Sequence, residues 1–291
     1  MSDATPEPAM PTDNAEQIAE WNGTLGQRWA ESQRETDAVV AAFGEAALQR
    51  AAARPGERVI DIGCGCGDTA LALARQVGET GQVLGVDVSQ PMLAVARQRA
   101  AAAGLRQLRF DEADASVAPL AAGIDLLYSR FGVMFFADPV AAFKHLHAAL
   151  RPGGRLVFVC WRAPRDNSWA MAPLVAARKV LGITPPPADP LAPGPFAFAD
   201  GERTRSILAD AGFSGIELQR VDAPIRLGAT AREAAEGAVR VGPTARLARE
   251  AGPEHLPTIL QGIERALAAQ AASDGQVSLG GSTWLVSASR P

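Results

Sequence analysis

The central part of the chain alternates short apolar runs with amphipathic segments. Short runs rich in β-branched residues are typical of buried strands, and the pattern predicts strands over 58–62, 82–87, 108–114, 124–130 and 155–161. Between them, apolar residues recur at helical spacing and predict helices over 68–77, 91–103 and 139–150. Strands and helices that alternate in this way form a parallel sheet with right-handed crossovers and helices on both faces.

The flanks of this core have a different pattern. Residues 15–50 carry an interrupted apolar stripe that predicts helices, whereas 163–198 are rich in proline and break the alternation. Two further strands are predicted over 213–224 and 282–290. The predicted fold is therefore an α/β, doubly wound and mostly parallel seven-stranded sheet. The predicted segments are a disordered tail (1–14), an N-terminal helical lid (15–50), the core (51–162), a cap inserted after the fifth strand (163–199) and a C-terminal completion of the core with extra helices (200–291).

Composition narrows the class of protein. The chain has 291 residues, 47% of them apolar, and can bury a large core. Its net charge of −4 argues against nucleic acid as a partner, because backbone phosphates bind to basic faces. Three cysteines indicate a reducing cytoplasm, and no apolar run approaches the roughly 18 residues of a membrane span. Cys64 and Cys66 lack a second cysteine pair, so no metal site is predicted.

A glycine-rich loop follows the first predicted strand. In the segment DIGCGCG (61–67), Gly63, Gly65 and Gly67 lie between a strand and a helix, where glycine permits a tight turn and a close approach of the backbone to a ligand. The helix N-terminus adds free N–H groups. Asp87 ends the second strand, where a carboxylate can accept hydrogen bonds from both hydroxyls of a ribose. The spacing predicts a nucleoside site at the carboxyl ends of the strands.

Two classes of cofactor use this layout. A dinucleotide fingerprint needs a third glycine where this chain has Asp68, and a carboxylate there would repel a pyrophosphate. Asp61, just before the loop, favours a ligand that carries positive charge, such as an amino group or a sulfonium. S-adenosylmethionine (SAM) has both groups, together with a ribose and an adenine. SAM is the predicted cofactor, and a nicotinamide-dependent oxidoreductase is the weaker alternative.

Four motifs in this order resemble those of the class I SAM-dependent methyltransferases. They are the loop DIGCGCG (61–67), the second strand VLGVDVSQPML (83–93), EADA (112–115) and LRPGGRLVF (150–158). The flanking segments WNGTLGQRW (21–29) and FVCWRAPRDNSW (158–169) resemble those of the bacterial type 11 and ubiquinone/menaquinone-biosynthesis-like subgroup. The resemblance implies a SAM-dependent methyltransferase. A SAM-binding protein with a non-methylating or regulatory role is the alternative, because the cofactor motifs do not encode the acceptor chemistry.

The resemblance also implies roles for particular residues. The three loop glycines would pass under the methionine and the ribose, and Asp61 would hold the amino group directly or through water. Asp87 would bind the ribose hydroxyls. The remaining expected contacts are Val88 and Met92 on the adenine, Asp114 with the adenine amino group, the Ala115 N–H with a ring nitrogen, and the Ser129 backbone near the amino group.

The acceptor is expected to be a small, partly apolar molecule methylated on O, C or N. Its predicted pocket is formed by Phe131, Met134, Trp161, Arg162, Asn167 and Trp169. Residues 15–35 and 165–200 are predicted to cover the carboxyl ends of the strands, with Trp29 placed to contact the sulfonium by cation–π attraction. No residue stands out as a catalytic base. His255 becomes a candidate only if both covering segments pack on the opposite edge of the sheet.

Overall fold

A computed structural model describes residues 14–184 and 191–291. Residues 1–13, which hold nearly all of the predicted tail, and residues 185–190 of the predicted cap lie outside this description. Within the described residues the strands are β1 (Arg58–Ile62), β2 (Gln82–Asp87), β3 (Leu108–Glu112), β4 (Ile124–Arg130), β5 (Leu150–Trp161), β6 (Ser214–Gly228) and β7 (Val277–Ser289). They form one sheet in the order β3-β2-β1-β4-β5-β7-β6.

The helices of the described chain lie on the two faces of this sheet or beside one end of it. They are α1 (Ala15–Asn22), α2 (Thr24–Glu31), α3 (Gln33–Ala51), α4 (Asp68–Val77), α5 (Gln90–Ala102), α6 (Pro139–Ala149), α7 (Ser168–Leu181), α8 (Gly201–Asp210), α9 (Ala231–Ala238), α10 (Pro243–Ala251) and α11 (Leu256–Ala268). Short 3₁₀ turns occupy Val133–Phe135, Pro164–Asp166 and Pro253–His255.

The sheet confirms the predicted fold class. Strands β1 to β5 pair in parallel, whereas β7 runs antiparallel to both β5 and β6. One apolar cluster fills each face of the sheet, because the central strands bury side chains on both sides. Five parallel strands therefore end at the same edge, and the loops that follow them meet there.

Two boundaries differ from the sequence prediction. The strand predicted over 155–161 begins at Leu150, because Leu150 pairs with Ile124, and the helix predicted over 139–150 ends at Ala149. The lid breaks at Gly23 and again at Ser32, whereas Gly26 lies inside α2. A side chain at Gly26 would lie 1.9 Å from the carbonyl oxygen of Trp21, so this glycine serves close packing and does not end a helix.

A third apolar cluster lies outside the two faces of the sheet. Helix α7 packs there against α9, α10 and α11 and against the beginning of β7. The predicted cap (163–199) thus shares its core with helices from the predicted C-terminal segment. Together these helices form one helical layer beside the carboxyl ends of the strands.

Candidate active site

A cavity of about 760 Å³ lies at the carboxyl ends of the parallel strands. This volume is within the range of sites that bind small molecules and cofactors, about 300–1,000 Å³. The glycine loop and the ends of β2, β3 and β4 form its floor, and the lid helices, α7 and residues 226–244 form its walls. Its place agrees with the general rule that open α/β sheets bind ligands beyond the carboxyl ends of their strands.

The glycine loop owes its shape to backbone conformations that other residues rarely adopt. Gly63, Gly65 and Gly67 have φ angles of +66°, +53° and +81°. Gly63 and Gly65 line the cavity, whereas Gly67 directly precedes α4 and faces the apolar side chains of Leu71, Ala96 and Phe110. A Cβ atom at Gly63 would lie 2.6 Å from the Cα of Gly132, so this loop is pressed against the segment that follows β4.

Asp87 lies at the centre of the cavity floor. Its carboxylate accepts hydrogen bonds from the backbone N–H of Gly65 at 2.7 Å and of Ser89 at 2.9 Å. Burial raises the pKa of Asp87, and these hydrogen bonds oppose the rise. A carboxylate has about four acceptor sites, so two N–H donors leave capacity for the two hydroxyls of a ribose.

Asp61 lies behind the loop and outside the cavity lining. Its Oδ2 accepts a hydrogen bond from the Thr69 hydroxyl at 2.7 Å, whereas its buried Oδ1 has no partner in the described part of the chain. Burial away from water raises the pKa of Asp61 to about 7, against the lowering effects of the Thr69 hydroxyl and the Arg130 guanidinium. An orphaned carboxylate oxygen beside the loop is an acceptor that an ammonium group could satisfy. The residues present therefore fit the methionine end of SAM.

The other predicted cofactor residues divide into two groups. Val88, Met92, Asp114 and Ala115 line the cavity. Ser129 is buried and does not line it: its hydroxyl donates to the Ile62 carbonyl at 2.8 Å and accepts from the Gly132 N–H. Ser129 thereby supports the contact between the glycine loop and the segment after β4.

The N-terminal helices close one side of the cavity. Trp21 and Trp29 line it and meet edge to face, with ring centroids 5.7 Å apart. The Nε1 of Trp29 is buried without a partner within the described chain. Asn22, which the sequence did not single out, fixes this lid because its amide donates to the Val88 carbonyl and accepts from the Gln90 N–H.

Aromatic side chains form the wall opposite the predicted adenine contacts. Phe131 stacks on Trp161 with centroids 4.3 Å apart, and Trp161 contacts Trp169 at 4.8 Å. All three line the cavity, as does Met134. Phe131 has a φ angle of +64°, which costs a bulky residue roughly 1–2 kcal/mol, and its N–H is held by the Val159 carbonyl.

Two residues of the predicted acceptor pocket lie elsewhere. Arg162 pairs with Asp166 and Asp222, outside the cavity lining. Asn167 is buried, and its amide donates to the backbone carbonyls of Arg162, Ala163 and Ser282 and accepts from the Ser282 N–H. These contacts anchor the start of α7 to β7, which brings Trp169 to the cavity.

Sequence reasoning missed the wall formed by residues 226–244. This segment of β6, α9 and the start of α10 lines the cavity opposite the lid. An alanine-rich pattern without motifs gave no signal for it. His255 is exposed next to Glu254 and lies outside the lining, so it does not become a candidate base.

The described residues include no group of three or more His, Cys, Asp and Glu side chains placed to hold a metal ion. Burial raises the pKa of Cys66 to about 12 and that of Cys64 well above its usual range, so both remain thiols at neutral pH.

In the described chain, no helix is both long and apolar enough to cross a membrane.

Comparison with solved structures places the fold among the methyltransferases. Phosphoethanolamine N-methyltransferase 2 of Haemonchus contortus, solved with SAM, aligns with a TM-score of 0.59 at 20% identity and covers 98% of this chain and 62% of its own. A methyltransferase of Bacillus halodurans aligns with a TM-score of 0.57 at 19% identity, covering 85% and 98%. At this identity the likeness concerns the fold alone.

Sequence comparison identifies the family. A family model described as a methyltransferase domain matches residues 59–154. The demethylmenaquinone methyltransferase of Thermus thermophilus is 35% identical over 170 residues, which span 54% of this chain and 74% of the relative. The ubiquinone/menaquinone biosynthesis C-methyltransferase UbiE of Azotobacter vinelandii is 30% identical, with coverage of 58% and 70%. The chain belongs to this family of class I SAM-dependent methyltransferases and is an enzyme that uses SAM.

One premise of the cofactor prediction needs correction, although its conclusion holds. Asp68 was expected to repel a pyrophosphate, but its carboxylate pairs with Arg99 and Arg130 at 3.2 and 2.9 Å. Its charge is therefore balanced and does not discriminate between cofactors. The comparisons decide for SAM and against a nicotinamide cofactor.

Asp61 predicts a pH dependence of cofactor binding. Below about pH 7 the free enzyme holds a proton on Asp61 that a neighbouring ammonium group would displace. The affinity for SAM should therefore increase about tenfold per pH unit below pH 7 and stay constant above it. Calorimetric titration from about pH 5.5 to 8.5 measures this slope. Asp61→Asn should bind SAM weakly and without this slope, and an unchanged slope in that variant would contradict the assignment.

Proposed function

We propose that this methyltransferase methylates an oxygen or carbon atom of a small, planar and largely apolar acceptor. The observation that carries the proposal is the wall formed by Phe131, Trp161 and Trp169, with two close ring contacts between them. An acceptor with a flat ring could stack on this wall, because offset aromatic faces attract one another.

This aromatic wall stands directly beside the glycine loop. Gly132 follows Phe131 and packs against Gly63, so the ring and the loop are held by one contact. SAM supplies a methyl group already activated by its sulfonium. The chain then has to align the acceptor and exclude water, and good alignment alone contributes several kcal/mol in favourable cases. Phe131 is suited to this task because its strained backbone directs the ring into the cavity.

The relatives support an acceptor of this kind. Those with 30–35% identity are named for the methylation of demethylmenaquinone and for ubiquinone and menaquinone biosynthesis. Arg130, Arg226 and Arg240 line the cavity, but the wall formed by Phe131, Trp161 and Trp169 carries no charge and favours an apolar acceptor. A hydroquinone has the planar, mostly apolar form that this wall would accommodate.

Methylation of 1,4-dihydroxynaphthalene tests the proposal. The enzyme should form S-adenosylhomocysteine faster with this acceptor than with phosphoethanolamine. Trp169→Ala should raise the KM for the naphthalene about tenfold, because it removes a stacked ring worth about 1 kcal/mol beyond its buried area. Its affinity for SAM should change less than about twofold, because the ring lies away from the predicted adenine contacts.

Trp284→Ala is the matched control. Trp169 donates its Nε1 to the Asn167 Oδ1, and Trp284 donates its Nε1 to the Ala199 carbonyl but lies outside the cavity lining. This variant should keep the KM of the original enzyme. Faster turnover of phosphoethanolamine, or an equal change of KM in both tryptophan variants, would contradict the proposed acceptor class.

A further inference from the structure

Four charged side chains form a closed ring beside the glycine loop. Arg130 donates to Asp37 and to Asp68, both at 2.9 Å. Arg99 donates to the same two carboxylates at 3.1 and 3.2 Å. Two positive and two negative charges thus balance one another within one hydrogen-bonded network.

The ring joins four separate elements. Asp37 lies in the first turns of α3, Arg130 ends β4, Asp68 begins α4 and Arg99 lies in α5. Helix α3 follows the lid helices α1 and α2, so Asp37 is one of the points, besides Asn22, at which the lid side of the cavity is tied to the core. Arg99 also donates to the carbonyl of Cys66 at 2.8 Å, which extends the network into the loop itself.

One side of this network, Asp37 and Arg130, faces the cavity. Asp37 and Arg130 both line it, although their side chains are only 18% and 12% exposed. Arg130 lies flat against α3 because Gly44 leaves room for it: a Cβ atom there would lie 3.1 Å from the Arg130 Cδ. A guanidinium presents five donors in a rigid planar fork that fixes two carboxylates in place, whereas an ammonium is a compact charge on a flexible stem.

We propose that Arg130 is a positioning residue for SAM retention. Through Asp37, Arg130 holds α3 and the lid helices α1 and α2 over the glycine loop. Through Asp68 it holds α4, the helix that follows this loop. Release of SAM then requires the ion pairs among Asp37, Asp68, Arg99 and Arg130 to break. The inference rests on SAM binding in this cavity and is independent of the acceptor class proposed above.

The opposite end of α3 offers a comparison within the same molecule. There Arg155 donates to both carboxylate oxygens of Glu57 at 2.9 and 2.8 Å and to the carbonyl of Ala51, the last residue of α3. Glu57 is 11% exposed, close to the value for Asp37. This second pair ties the helix to β5 at the edge of the sheet away from the cavity. If both ion-pair networks only stabilised the fold, substitutions at either end of α3 would have the same effect on SAM release.

Paired substitutions test the proposal. Asp37→Asn and Glu57→Gln each keep the side-chain shape and remove one charge from a buried pair. Dissociation of SAM is followed by stopped-flow tryptophan fluorescence, because Trp21 and Trp29 line the cavity, and the melting temperature is recorded for each variant. We expect both variants to melt at a lower temperature, with SAM dissociation at least about tenfold faster in Asp37→Asn and changed less than about twofold in Glu57→Gln.

Conservative variants separate positioning from charge alone. Arg130→Lys keeps the charge but loses the planar fork that fixes both carboxylates, so it should release SAM as fast as Asp37→Asn does, whereas Asp37→Glu should restore part of the retention. Equal dissociation rates in Asp37→Asn and Glu57→Gln would overturn the proposal, as would rates that follow the melting temperature across all four variants. If the dissociation rates differ as expected but 1,4-dihydroxynaphthalene is not methylated, the acceptor proposal fails and this one stands.

Discussion

Replacing Asp87 by alanine is expected to weaken SAM binding by at least about tenfold, or about 1.4 kcal/mol. The carboxylate is predicted to accept both ribose hydroxyls, and hydrogen bonds to a charged group contribute about 1.5–3 kcal/mol each. The variant also loses the hydrogen bonds that hold the N–H groups of Gly65 and Ser89, so the loop itself becomes less ordered. Calorimetric titration with SAM and a melting curve measure the two effects separately.

Asp111→Ala is the matched control for this prediction. Asp111 lies on β3 in register with Val86, one residue before the level of Asp87, and its exposed side chain lies outside the cavity lining. The control should bind SAM as the original enzyme does. A folded Asp87→Ala variant with unchanged affinity would show that the ribose lies elsewhere.

Replacing Gly65 by valine is expected to abolish SAM binding, so that none is detected at about a hundred times the original Kd. Gly65 has a φ angle of +53° and lines the cavity, and a Cβ atom there would lie 2.8 Å from the Met92 Cε. The valine would fill the space in which the backbone approaches the ligand, and it would strain a left-handed conformation. Equilibrium dialysis with labelled SAM measures the loss.

Gly104→Val is the matched control, because it separates backbone strain from filling of the cavity. Gly104 has a φ angle of +67°, but a Cβ atom there has no neighbour within 4 Å. This control suffers the same backbone strain, of roughly 1–2 kcal/mol, away from the cavity. It should lower the melting temperature and bind SAM normally. Normal SAM binding by Gly65→Val would mean that the loop glycines serve only the turn.

The sequence alone predicted the parts of this fold that depend on local signals. Buried strands that alternate with helices specify a doubly wound sheet, and a glycine loop followed by an acid at the end of the next strand specifies a nucleoside site. These signals act within about 30 residues of one another. The loop glycines Gly63 and Gly65 and the acid Asp87 accordingly lie together in the structure.

The missing parts of the site depend on contacts between distant segments. Asp37 and Arg130 are 93 residues apart, and neither has a motif around it. The wall of residues 226–244 reaches the cavity only because α9 packs against α7 and α11. Asn167 was expected at the acceptor, but its hydrogen bonds to Ser282, 115 residues away, place it in an anchoring turn. Such placements follow from tertiary packing, which leaves no periodic pattern in the sequence.

A crystal structure of the complex with S-adenosylhomocysteine tests the central claim most directly. We expect the ribose hydroxyls to contact Asp87, and the adenine to lie between Val88 and Met92 and within reach of Asp114. An adenosine bound outside this cavity, or one whose ribose does not contact Asp87, would contradict it.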